Sequence, residues 1–463
     1  MTFKTFLAIA FTLLSISQVS AQEKKPYNVL FIAVDDLNTD LGCYDHPTVK
    51  SPNIDRLAKR GVLFRRAYTQ YPLCSPSRSS LLTGQRPDAT QVYELQTHFR
   101  TKLPDAVTLP QLFKRNHYFS ARVGKIFHQG VPSQIGANGL DDSASWHLWI
   151  NPKGHDKYRQ SSIHKLTPDR GLGSSLAWRI DDTPDREETD GMIAREAIRI
   201  MEQKKNEPFF IGVGFFRPHT PYVAPRRYFD LYDPKDIHLA EEQENDFDDI
   251  PTVALFTQPP HWGVGESDRR DVQRAYYASI SFVDAQIGKL LNALDRLGLS
   301  ENTIVVLWSD HGYNLGQHGQ WHKQSLFESG ARVPMIISFP GGEKGKTSDR
   351  TVELLDIYPT LAELCRLPPP AQLQGKSLRP LLLDPAAIWE KPALTQVRRG
   401  NIMGRSIRTE RWRYTEWDGG KLGIELYDHD ADPNEFKNLS SDANYAETMH
   451  ELSVLLHQDQ SGM

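Results

Sequence analysis

Two pairs of ionisable residues far apart in the chain, Asp35-Asp36 and Asp310-His311, each follow an apolar run that reads as a buried strand. The runs are "YNVLFIAVDD" (27–36) and "NTIVVLWSDHG" (302–312). In open α/β sheets, ligands gather beyond the carboxyl ends of the strands. If these two strands are neighbours, the carboxyls of Asp35, Asp36 and Asp310 converge with the imidazole of His311. Such acids repel one another unless some stay protonated or a counter-ion joins them. An oxygen-rich set of this kind suits a hard divalent cation, Ca2+ or Mg2+, rather than zinc. Each pair taken alone also fits a strand end or a turn, as Asp-His-Gly does.

A second kind of chemistry is offered by "YPLCSPSRSSLLTG" (71–84), which presents Cys74 among loop-forming residues. Pro76 suits a first helical turn and Gly84 suits a helix end. The thiol would then stand at a helix N-terminus, where backbone N–H groups and Arg78 favour anions. A cysteine-phosphatase loop would need arginine where Ser80 stands, and neither a Cys-x-x-Cys pair nor a zinc array is present. The chain has 3 cysteines, so at least one of Cys43, Cys74 and Cys365 is unpaired.

Strands and helices must hold these groups in place. "EPFFIGVGFF" (207–216) reads as a third strand, and "SPNIDRLAKRG" (51–61) as a helix with Ser51 as cap, Pro52 in its first turn and Gly61 at its end. Residues 268–298 form a long helical pattern between two strands, which favours parallel pairing through right-handed crossovers. The expectation is an α/β domain with a large, mostly parallel sheet between helices. Beyond "LPPPAQLQG" the texture changes to short antiparallel strands, followed by a helical pattern near 443–458. The expected division is 1–21 a signal peptide, 22–370 the main domain and 371–463 a smaller antiparallel sheet with a helix. Residues 131–190 are polar and weakly periodic, and so long a loop in a compact domain is often functional.

The first residues carry Lys4, an apolar stretch and Val19-Ser20-Ala21, the pattern of an export signal too short to span a membrane. A periplasmic or secreted protein without a membrane anchor is expected. With 54 basic against 58 acidic residues, the basic ones dispersed, there is no nucleic-acid footprint.

The Cys74 segment resembles the type I sulfatases, whose motif Cys-x-Pro-x-Arg-x-x-x-Leu-Thr-Gly is present without departure. The resemblance extends through "ARVGKIFHQG" (121–130), "FFRPHTPY" (215–222), "SDHGYNLGQHGQWHK" (309–323) and "ELYDHDADPNEFKNL" (425–439). One departure is His117, which precedes Tyr118 where the family usually has glycine. His311, together with "RPDATQVYELQTHFR" (86–100) and "RPHTPY", is most similar to the iduronate-2-sulfatase branch.

This resemblance implies the alkaline-phosphatase-like sulfatase fold, and a formylglycine made from Cys74 by a maturation enzyme. It implies a cation held by Asp35, Asp36, Asp310, His311 and the Cys74-derived side chain. Lys125 and Lys323 would neutralise sulfate oxygens, Arg78 would steady the hydrated aldehyde, His219 would act as acid and His128 as base. The implied substrate is a sulfated oligosaccharide, with 2-O-sulfated uronic acid at a chain end as the first choice. Trp146, His147, Trp149 and Arg217 could meet a sugar, although ordinary loop packing is the simpler reading. His318 and His322 have zinc-pair spacing, without further support. The alternatives are a phosphate or phosphonate ester hydrolase of the same superfamily, or a carbohydrate-binding protein on the same scaffold.

Overall fold

A computed structural model describes residues 25–461, so the expected signal peptide lies outside the described residues. Eight strands form a sheet covered on both faces, the central ones unbroken apolar runs and the last in the chain, at one edge, largely polar. These are β1 (Asn28–Val34), β2 (Val62–Tyr68), β3 (Phe119–Gly124), β4 (Leu148–Ile150), β5 (Phe209–Phe215), β6 (Thr303–Ser309), β7 (Arg332–Ser338) and β8 (Lys346–Glu353). Their order across the sheet is β8-β2-β7-β6-β1-β5-β3-β4. β1 pairs in parallel with both β5 and β6, with Val34 opposite Phe215 and Ser309. β7 alone runs antiparallel to its neighbours.

Alternation along β1 divides the core. Leu30, Ile32 and Val34 face one layer, and Val29, Phe31 and Ala33 face the other. The first layer contains α1 (Pro52–Ala58), α3 (Thr189–Lys204) and the 31-residue α4 (Glu266–Arg296). The second contains α2 (Cys74–Thr83) and α5 (Ile357–Leu364). Burial on both faces explains why β1, β5 and β6 read as continuous apolar runs rather than as alternating ones.

Two details of the expected helix over 51–61 differ. Ser51 does not cap α1 with its side chain; its Oγ accepts from Gly42 N and donates to Asp55 Oδ1. α1 stops at Ala58. Gly61 instead lies against β7, where a Cβ would come within 2.3 Å of Ile337 O.

The small C-terminal sheet is antiparallel, with β9 (Ala393–Arg399), β10 (Ile402–Arg408), β11 (Trp412–Trp417) and β12 (Ile424–Asp428) in chain order. One face packs against Leu452 and Leu456 of α6 (Ala446–Ser461). Val397, Trp417 and Tyr427 pack with Tyr71, Leu73 and Phe327. β9 also bonds the segment entering α2: Gln396 N donates to Gln70 O and Arg398 N to the Tyr71 hydroxyl. The small sheet therefore buttresses the approach to Cys74.

Between the two sheets lies a buried ionic junction in which Arg413 contacts both Glu328 and Glu435, and His429 Nε2 lies 2.9 Å from Glu435 Oε1. Burial alone would raise the Glu435 carboxyl, but Arg413 outweighs it and holds the group at about 2. A carboxylate depressed below its unfolded value of ~4.3 stabilises the fold above that value and loses this contribution as pH falls toward 2. Glu435→Gln should therefore flatten the fall in melting temperature from pH 6 to 3. Parallel profiles for the two proteins would refute this role.

Candidate active site

Every strand that supplies a candidate residue points its carboxyl end the same way. Asp35 and Asp36 follow β1, Lys125 and His128 follow β3, His219 follows β5, and Asp310 and His311 follow β6. Cys74 opens α2, a short loop after the end of β2. The parallel pairing thus brings together residues up to 276 positions apart, as the rule for open sheets requires.

Consecutive strand residues normally face opposite sides. Asp36 escapes that constraint by leaving the strand in the left-handed region, with φ 61°. Aspartate tolerates this conformation better than most residues. Both carboxylates can then belong to one site. Asp36 N also donates to Asp310 Oδ1 at 3.2 Å, tying the two strand ends together.

The buried Cys74 sulfur lies 3.3 Å from His311 Nε2, 3.1 Å from Lys323 Nζ and 3.8 Å from Asp36 Oδ1. Arg78, one turn on in α2, reaches beneath it. Its Nε donates to Asp310 Oδ2 at 2.8 Å, its Nη2 to Asp35 Oδ1 at 3.0 Å and its Nη1 to the carbonyls of Lys125 and Ile126. Lys125 Nζ donates to Asp35 Oδ2 at 2.6 Å, and Lys323 Nζ to Asp36 Oδ1 at 2.7 Å. The carboxylates are therefore not left to repel one another: Asp35, Asp36 and Asp310 are balanced by Arg78, Lys125 and Lys323.

Burial pushes the Asp35 carboxyl up to about 7 despite Lys125 and Arg78. Asp310 is also penalised by burial, but Arg78 and the neighbouring cations hold it well below the usual carboxylate range. The histidines are kept neutral. Burial, with Lys125 and Arg78 adding to it, drives His128 down to about 2, and burial lowers His219 and His311 as well. In neutral His219, Nδ1–H is directed at Thr220 O at 2.6 Å, leaving the Nε2 lone pair facing Asp36 Oδ2 at 3.6 Å. His128 Nδ1 is buried without a hydrogen-bond partner.

The arrangement fits a cation. Asp36, Cys74, Asp310 and His311 each offer a ligand atom, and these atoms all lie within 4.8 Å of one another; Asp35, Asp36 and His219 form an overlapping group. Asp36 Oδ2 is buried without a hydrogen-bond partner, an orphan acceptor that an ion would satisfy.

The sulfatase family description matches residues 27–366, and the description "N-sulphoglucosamine sulphohydrolase, C-terminal" matches residues 316–462. The chain belongs to the sulfatase family. It is a sulfuric ester hydrolase. Iduronate 2-sulfatase of Mus musculus is 33% identical, over 92% of this chain and 93% of that protein. The solved structure of a 2-O GAG sulfatase superposes with a TM-score of 0.72 at 25% identity, over 94% of this sulfatase and 92% of that chain. The phosphonate monoester hydrolase of Agrobacterium radiobacter shares the fold, with a TM-score of 0.79 at 23% identity over 94% and 96% of the two chains.

Other expected residues fall elsewhere in the sulfatase. Trp146 is core, packed with Phe127 and Phe210, while Trp149 is exposed on edge strand β4. Arg217 is buried and paired with Asp156, and its Nη1 donates to His219 O. It braces the loop that carries His219 and is buried away from solvent. His318 is paired with Asp246 and His322 stacks near Tyr313, so the two do not form a zinc pair. His117 has φ 65°, which explains the usual glycine at that position. Asn438, first residue of an Asn-Leu-Ser sequon, has its amide engaged by Leu426 N and by the carbonyls of Asp249 and Ile424. Cys43, Cys74 and Cys365 are all free, with Cys43 and Cys365 packed on opposite faces of the large sheet.

Sequence reasoning does not single out Ser77. Its hydroxyl donates to Asp310 O and accepts from Thr69, so it fixes the turn that carries Asp310 and His311 from within the motif. A small hydroxyl residue between two required motif positions is its only signal.

Proposed function

We propose that this sulfatase is exported and removes sulfate from sulfated carbohydrates, with a chain-terminal 2-O-sulfated uronic acid as the preferred unit. The supporting observation is the Cys74 sulfur set among Asp36, His311 and Lys323, in a chain 33% identical to an iduronate 2-sulfatase. In this reading the thiol stands in for the formylglycine that a maturation enzyme makes from Cys74. Hydrated, that aldehyde supplies one hydroxyl to attack sulfur and a second whose deprotonation expels sulfate. Asp35, Asp36, Asp310 and His311 hold a divalent cation, Ca2+ by the hardness of its carboxylate ligands. When bound, it screens sulfate oxygens and eases deprotonation of the attacking hydroxyl.

The chain's own groups complete the chemistry. Lys125 and Lys323 hold the non-bridging oxygens, where negative charge must be stabilised. Arg78 fixes the nucleophile's helix against the acids beneath it. His128, neutral and with a free Nδ1, is the base that takes a proton from the second hydroxyl. His219 becomes an imidazolium only against the substrate's negative charge, and with Lys323 beside it protonates the leaving oxygen.

The test is the mass of the tryptic peptide ending at Arg78, followed by assay of the same preparation. The expected peptide has exchanged the sulfur, its S–H hydrogen and one Cβ hydrogen for an aldehyde oxygen, and the protein releases sulfate from a 2-O-sulfated uronate faster than phosphate from the matching phosphate ester. An intact thiol, under conditions that mature a control sulfatase, would overturn the formylglycine mechanism. Faster phosphate release would favour the phosphate or phosphonate ester reading, which the shared fold keeps in play.

A further inference from the structure

Beside the sulfur-centred site lie two polar groups that the mechanism above does not use. Arg170 sits in a turn within the long segment after β3, with its guanidinium 4.1 Å from the centre of the Trp262 ring. Its Nε donates to Ser174 O at 2.7 Å. Burial pulls it below the usual arginine range, and no carboxylate among the described residues offsets that. On another side of the same indole stands His322, 5.1 Å from it between ring centres and steeply inclined at 72°. His322 is 4% exposed, and its Nε2 is buried without a hydrogen-bond partner.

Both groups are tied to the reacting centre. His322 immediately precedes Lys323, whose ammonium touches Asp36 and Cys74. The Arg170 turn leans on His219: a Cβ on Gly173 would lie 4.0 Å from His219 Cε1 and 2.0 Å from Val131 O. His261, Trp262 and His322 all hold left-handed φ values of 54°, 51° and 66°. Non-glycine residues in that conformation cost energy and cluster where the surrounding structure needs a side chain aimed in one direction.

The geometry points to a subsite formed by Arg170, Trp262 and His322 that binds the carboxylate of the sugar unit whose sulfate is removed. This deepens the uronate reading proposed above and rests on it. An unpaired guanidinium with Nε already engaged keeps two terminal nitrogens for a planar, bidentate acceptor, the geometry a carboxylate offers. His322 Nε2 would gain the partner it lacks, and Trp262 fixes the plane of the guanidinium by stacking. A neutral sugar would leave the half-buried Arg170 guanidinium and the buried His322 Nε2 without a matching partner, which is how a polar site disfavours a substrate lacking the matching group.

The experiment compares two disaccharides, one ending in 2-O-sulfated uronate and one in its carboxyl-reduced counterpart, on the matured full chain. The wild type should prefer the uronate in kcat/KM. In Arg170→Ala that preference should fall by about 30-fold, the size of a charge-assisted hydrogen bond, and mainly through KM. Arg170→Lys, which keeps charge but not the fork, should fall between the two, and His322→Ala should lose part of the preference. A wild type that cleaves both alike, or an Arg170→Ala variant with an unchanged ratio, would overturn the subsite while leaving the sulfatase reading intact. Failure of matured wild type to release sulfate from any ester would instead overturn the reading beneath it.

Discussion

Replacing Cys74 by serine is expected to lower steady-state turnover at least about 10^4-fold in protein made with a cysteine-specific maturation enzyme, the scale seen when a hydrolase loses its nucleophile. The site explains why neither serine nor the native thiol suffices. Burial pushes the Cys74 thiol above its ordinary range, even with Lys125 and Lys323 close by. An unmodified cysteine is therefore not a ready thiolate, and wild-type protein made without maturation should be as inactive as Cys74→Ala. Serine offers one hydroxyl to attack sulfur but no second hydroxyl whose deprotonation expels sulfate. Incubated with substrate, the Cys74→Ser peptide should gain the mass of a sulfuryl group and keep it, while the Cys74→Ala peptide gains nothing. Many turnovers by Cys74→Ala would end the covalent scheme.

The separation between what the sequence discloses and what it hides follows the range of the interactions. β1, β5 and β6 were legible because strands buried on both faces are written as unbroken apolar runs. Their convergence was legible because parallel strands put their carboxyl ends on one edge, so Asp35, Asp36, Asp310 and His311 had to meet once β1 and β6 paired. Helix α2 begins at Cys74 and ends before Gly84, whose φ of 70° accounts for the motif's last residue. The cap on α1 escapes a local reading because Ser51 is claimed by tertiary partners, Gly42 and Asp55, that no local pattern shows. The bracing of His219 by Arg217 was hidden for a similar reason: its carboxylate, Asp156, stands 61 residues away in a segment with weak periodicity. The same segment supplies Arg170, where only packing against Trp262 separates a binding group from a solvated arginine. The balance of charge at the site was also out of reach. The acids were plain, but the sequence did not show that Arg78, Lys125 and Lys323 reach them directly.

That balance makes Arg78 the residue whose loss should cost the fold most. It is fully buried, serves Asp35 and Asp310 together, and fills the carbonyls of Lys125 and Ile126. Truncation leaves buried carboxylates without their partner, and breaking a buried pair from one side costs about 3–5 kcal/mol. Arg78→Ala should lower stability by that amount in denaturant unfolding and abolish sulfate release, since the acids can no longer hold their positions beneath Cys74. Arg78→Lys separates charge from geometry. Lysine restores one positive charge but no planar fork, so it cannot donate to Asp35, Asp310 and two carbonyls in one plane. It should recover less than half of the lost stability and remain at least about 100-fold below wild type in kcat, the cost of misplacing a reacting group. Asp310→Asn on the Arg78→Ala background supplies the control. If Arg78 acts by compensating Asp310, the second substitution should give back part of the stability lost by the first, because it removes a stranded charge. Additive losses would show that Arg78 matters through packing over Trp308 rather than through the acids, and the electrostatic account of the site would fail.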